Sequence, residues 1–178
     1  SSSTLGATPA MTDDMSKADQ DGISHCNVFS RSRDPLGRWL SHFTRAEFTC
    51  PDGKFASIEG FWYWLQVDES EPQRNRLRTS YGYAAKELGR ELRAISPGPY
   101  RTDHQAKVRE AHRLRLLAHP EWLKAFVEST LPFQHYYATG DRVTTPKGSA
   151  WLGPFLEELR EDLRGQGTQH VDVVDSTI

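Results

Sequence analysis

The chain has 178 residues, the length of one ordinary domain. Its 22 Lys and Arg against 24 Asp and Glu leave a formal net charge of -2, so bulk electrostatics give no reason for a phosphate-backbone or anionic-membrane partner. Apolar residues make up 37%, and no run approaches the roughly 18–20 apolar residues of a spanning helix, so no membrane partner is expected.

Ser1 to about Gly22 is small and polar, with Asp13, Asp14, Asp19 and Asp21 and little to bury, and reads as a mobile tail. The Ser/Thr/Ala-rich stretch before Met11 reads as tag-derived and lacks the charged and apolar regions of a signal peptide. From His25 to Ser30 an alternating face of Cys26, Val28 and Ser30 predicts a short strand, and Asp34-Pro35-Leu36-Gly37 a turn. Ala46, Phe48 and Cys50 alternate again, Pro51-Asp52-Gly53 turns the chain, and Lys54-Phe55-Ala56 returns it as a hairpin. Ser57 is placed to cap a helix over 58–66 that is apolar on more than one side and therefore central. Ser80 is placed to cap a second, with Gly89 and Pro97-Gly98-Pro99 closing that region. Thr102 and Gln105 fit a capping box for a helix over 103–118, and Pro120 fits the first position of the next. Phe133 to Val143, broken at Thr139-Gly140-Asp141, predicts another hairpin, and Trp151 to Leu163 has the spacing of a last amphipathic helix. Gly165 to Ile178 reads as a tail or a short late strand. These elements predict an α+β class: a single domain over 23–164, several helices around a small, mainly antiparallel sheet.

Glu59 is the conspicuous carboxylate. On a buried helix, desolvation raises its pKa toward the range of general acid/base work; facing solvent in the first turn, it would merely complement the helix dipole. Trp62, Tyr63, Trp64, Tyr81, Tyr83, Tyr100, Tyr136 and Tyr137 offer faces for stacking a base or, at helical spacing, core packing. Lys86, Arg90, Arg113 and Arg115 are candidates for an anionic group or members of solvated helix faces. Cys26 and Cys50 cannot make a disulfide framework, and His25 beside Cys26 lacks the ligand spacing of zinc. The expectation is a reduced, cytoplasmic protein with no metal. No Gly-rich phosphate loop or Gly-x-Ser-x-Gly elbow is present.

Three segments in order resemble the NADAR (YbiA-like, RibX) superfamily of N-glycosidases. Leu36-Gly37-Arg38-Trp39-Leu40-Ser41-His42-Phe43 is similar to the family's Leu-Ser-Asn-Phe segment. Asp52-Gly53, then Ser57-Ile58-Glu59-Gly60-Phe61, is similar to its Asp-Gly and Ser/Thr-Val-Glu-His-Tyr run. Ala85-Lys86-Glu87-Leu88-Gly89-Arg90 is followed by a helix, His119-Pro120-Glu121 and Trp151-Leu152-Gly153. The resemblance spans Val28 to Leu163, with Trp62-Tyr63-Trp64-Leu65 and His135-Tyr136-Tyr137 marking a divergent branch. It implies hydrolysis of an N-glycosidic bond on a small nucleotide-like substrate without a cofactor. Glu59 takes the family glutamate, His42 the family Asn, Arg115 an Arg/Lys position, and Tyr100 falls near a pocket Trp. The chain departs from the family at Gln66, where a lysine thought to be catalytic is expected, and in lacking a clean Asp-x-x-Trp-Gly.

The first reading is therefore a hydrolase in which Glu59 orients water or stabilises oxocarbenium character at C1 of a ribose. Lys86, substituting for the missing lysine, or Arg115 or His135, would assist the leaving group; Trp62, Tyr100 or Tyr137 would stack on the ring, with His42 and Arg90 binding substrate. The alternative is a catalytically inactive module that binds a nucleotide or ADP-ribose. A third reading makes nucleic acid the partner, with a modified base as substrate.

Overall fold

The computed structural model describes residues 17–176, with side chains as far as Gln166. They form two compact units, one from residues up to Leu40 with those from Lys124 onward, the other from Ser41–Leu123. The α+β class holds. Among the described residues the strands make three two-stranded ladders, two antiparallel and one parallel.

In the first unit β1 (Cys26–Asn27) runs parallel to β4 (Phe133–Gln134), and Val28 N–H extends the ladder to Gln134 O at 2.8 Å. Asn27 prolongs the pairing with its side chain, donating to Tyr136 O (2.9 Å) and accepting from Tyr136 N–H (3.0 Å). Phe133 thus belongs to this ladder and not to the hairpin expected over 133–143. That hairpin begins later, as β5 (Tyr137–Thr139) and β6 (Arg142–Thr144). Asp34 to Gly37 is no turn but the start of α1 (Pro35–Leu40). Asp34 Oδ1 accepts from Leu36 N–H at 3.0 Å, and Pro35 has no N–H to leave unsatisfied at that position.

The expected tail also needs correction at its inner end. Asp21 is buried, and its carboxylate accepts from Asn27 N–H (2.9 Å), Ser32 Oγ (2.8 Å) and Arg33 N–H (2.9 Å). Residues 1–16 lie outside the described ones. At the other end the last helix, from Leu152 to Ser176, buries Leu152, Leu156, Leu159 and Leu163, and its backbone continues through the stretch read as a tail or strand. Residues 177–178 and the side chains beyond Gln166 lie outside the described ones.

The second unit is built on β2 (Phe48–Cys50) and β3 (Gly53–Phe55), joined at Pro51-Asp52 as the turn residues predict. Phe48 and Phe55 pack with Phe61 and Trp64 of α2 (Ile58–Trp64), with ring centroids 4.7–6.4 Å apart. A 3-10 turn (Arg74–Arg78), α3 (Gly82–Ile95) and α4 (His104–Ala118) complete the unit, and α5 (Pro120–Glu128) begins on the expected proline.

Ser57 is the N-cap of α2 as expected. Its Oγ accepts from Gly60 N–H (3.0 Å) and donates to Ser80 O (2.8 Å). Ser80 is not a cap: the N-cap position of α3 falls on Tyr81, and the Ser80 hydroxyl donates to Leu77 O. Nor does Gly89 end α3. A Cβ there would enter the Tyr63 ring, so the glycine permits close contact between α2 and α3. The capping box before α4 is absent: Asp103 precedes the helix, but Arg101 takes its carboxylate at 2.9 and 3.1 Å. Among the described residues no helix is long and apolar enough to cross a membrane.

Candidate functional site

The cluster around Glu59 lies within the second unit and starts from three consecutive backbone carbonyls. Ser41 O accepts from Arg115 Nη1 of α4 (3.0 Å), His42 O from Glu59 N–H of α2 (2.9 Å), and Phe43 O from Gly82 N–H of α3 (2.9 Å). Each helix thereby holds one residue of the 41–43 segment. The bond from Glu59 N–H to the His42 carbonyl ties the backbone of His42 to the start of α2.

Glu59 is 13% exposed, and its Oε2 lies 4.0 Å from His42 Nδ1. Desolvation dominates its ionisation and raises the pKa to about 7; Lys86 and then Arg90, one turn apart on α3, act in the opposite direction. A carboxyl group so poised changes protonation near neutral pH. The reading of Glu59 as a solvated first-turn carboxylate is set aside by this burial.

His42, 11% exposed, faces the indole of Trp62 and the imidazole of His112. Its ring centroid is 5.7 Å from Trp62 and 4.9 Å from His112, and its Nε2 is 3.0 Å from His112 Nε2. Trp62 is also set by His104, which meets it edge-on at 4.5 Å and bonds to its carbonyl at 3.1 Å. Burial holds the His104 pKa below the usual imidazole value. His104 Nε2 is also 3.2 Å from Gln66 Nε2, and Gln66 Oε1 accepts from Arg93. The residue at the expected lysine position is thus an anchored amide.

The structure brings together His42, Glu59 and Trp62, and places Lys86 and Arg90 where their charges act on Glu59. The remaining candidates have the following surroundings. Arg115 is fully buried, and burial pushes its pKa down; its Nη1 donates to Ser41 O and supports the 41–43 segment, so it is not part of a solvated helix face. Tyr100, 92% exposed between α3 and α4, forms no wall of the cluster. His135 and Tyr137 belong to the first unit, where His135 Nδ1 bonds Val28 O at 2.7 Å and the two rings meet edge-on at 5.5 Å. Burial lowers the pKa of His135.

His104 and His112 were not among the residues singled out. His112 carried a signal: it lies on the apolar stripe of α4 with Val108, Ala111 and Leu116, where a polar residue needs a reason.

No protein-family model and no curated protein sequence matches the chain. The α+β fold is shared with a solved protein. That structure is the NMR structure of the E. coli protein YbiA, matched at a TM-score of 0.61 and 20% identity over 83% of this chain and 93% of that one. The likeness shows the fold.

Proposed function

We propose that the protein hydrolyses an N-glycosidic bond in a ribosylated or ADP-ribosylated nucleotide or nucleobase, with Glu59 as the catalytic carboxylate. The observation that supports this reading is a nearly buried carboxyl group with a pKa of about 7 beside His42 and under the charges of Lys86 and Arg90. The carboxylate takes a proton from water as the water oxygen bonds to C1. The C1–N bond breaks with its electron pair passing to nitrogen, and that nitrogen takes a proton from Lys86. Exchange with solvent then restores both groups. Arg90 suits a phosphate of the substrate, and Trp62, steadied by His104, suits stacking on the ring.

The second reading, binding without turnover, is favoured by Gln66, an amide whose Oε1 accepts from Arg93 where the resemblance expects an amine. Incubation with a phosphoribosylamino-pyrimidine and with an ADP-ribosylated guanine, followed by mass spectrometry, separates the two. Release of free base and sugar that disappears in Glu59→Gln, with ligand affinity retained, is the expected result. Retention of intact ligand by the wild type leaves the binding module.

A further inference from the structure

The Nε2 atoms of His42 and His112 are 3.0 Å apart, so one ring donates a proton to a bare nitrogen of the other. The direction of that bond decides what His42 shows to Glu59. A carboxylate only accepts, so the useful group at Nδ1, 4.0 Å from Glu59 Oε2, is an N–H. Both imidazoles are withdrawn from water, His112 completely, and a neutral imidazole carries one N–H and one bare nitrogen. A neutral His42 with its proton on Nδ1 has a bare Nε2, and the proton in the His42–His112 bond then belongs to His112.

We propose that His112 is a positioning residue: its Nε2–H donates to His42 Nε2 and so holds His42 in the tautomer that presents Nδ1–H to the Glu59 carboxylate. His112 sits on α4, whose Arg115 holds Ser41 O, so one helix fixes both the backbone and the proton of His42. The donor at Nδ1 lends the ionised Glu59 a partner without neutralising it, and closing the 4.0 Å gap on substrate binding makes it a hydrogen bond. The consequence for turnover rests on the glycosidase reading; the tautomer does not.

Long-range 1H–15N correlation spectra of the 15N-labelled full chain, in buffer alkaline enough to ionise Glu59, test this directly. The expected wild-type spectrum shows His42 protonated at Nδ1 and His112 at Nε2. His112→Phe removes the donor, so His42 loses the Nδ1–H form; His112→Gln supplies an amide N–H and retains it. Where turnover is detectable, it falls roughly 10- to 100-fold in His112→Phe with KM little changed, the range for groups that act through another side chain, and recovers in His112→Gln. His42 protonated at Nε2 alone or at both nitrogens, or keeping its Nδ1–H form in His112→Phe, overturns the assignment even if glycosidase activity is found. The expected tautomers in a chain without turnover uphold the assignment and refute the activity. Should His112→Phe fail to fold, the wild-type and His112→Gln spectra decide.

Discussion

A carboxyl group that titrates near pH 7 instead of 4.5 makes the fold itself pH-dependent. Between those values folded Glu59 holds a proton that the unfolded chain has released, so unfolding free energy falls as pH rises through the window. The stability associated with the protonated form is fully present below about 4.5 and lost above about 7. The difference is about 3 kcal/mol, from about 1.4 kcal/mol per pKa unit. Glu59→Gln is therefore expected to match the wild type at pH 4 and to exceed it by about that amount at pH 8, as denaturant titrations at the two pH values measure. Equal stability at both would show that Glu59 is hydrated in solution. Glu59 was legible in the sequence because its motif put a carboxylate in the first turn of an apolar helix. Arg115 was not: a lone Arg on a mixed helix face gives no sign that a carbonyl 74 residues away occupies it.

At the scale of elements, close packing around α2 sets the geometry. A Cβ on Gly60 would strike the backbone oxygen of Leu77 and crowd Ser80 O, and backbone yields less readily than a side-chain tip. Helix propensity alone favours Gly60→Ala by about 1 kcal/mol, whereas overpacking costs roughly 1–3 kcal/mol. Net destabilisation, read as a lower Tm, is the expected outcome; a higher Tm would mean that the Leu77 carbonyl moves aside freely. The start of α2 at Ser57 and of α5 at Pro120 was readable because a cap and an N1 proline act on adjacent residues. Ser80 is no cap because the cap position of α3 falls one residue later, on Tyr81, while the Ser80 carbonyl takes the Ser57 hydroxyl from 23 residues away.

At the scale of the whole molecule, the N-terminal boundary lies earlier than polarity implies. Asp21 gathers three donors from residues 27, 32 and 33. Hydrogen bonds to a charged group contribute about 1.5–3 kcal/mol each and are not additive. A chain beginning at Ile23 is therefore expected to be less stable than one beginning at Lys17 by on the order of 3 kcal/mol, and Asp21→Ala in the longer chain to show most of that loss. Indistinguishable denaturation midpoints would show that the three donors find water as readily.

The sequence by itself determined the α+β class, the Phe48–Phe55 hairpin, the cap of α2 and the position of Glu59 in its first turn. These depend on alternation, turn residues and bonds spanning a few positions, all of which leave a local trace. Only the tertiary structure decided that Phe133 pairs with Cys26, that Asp21 is interior, and that His112 reaches His42 across 70 residues. Such choices turn on which distant donor meets which acceptor when the chain closes, and no local pattern records that meeting.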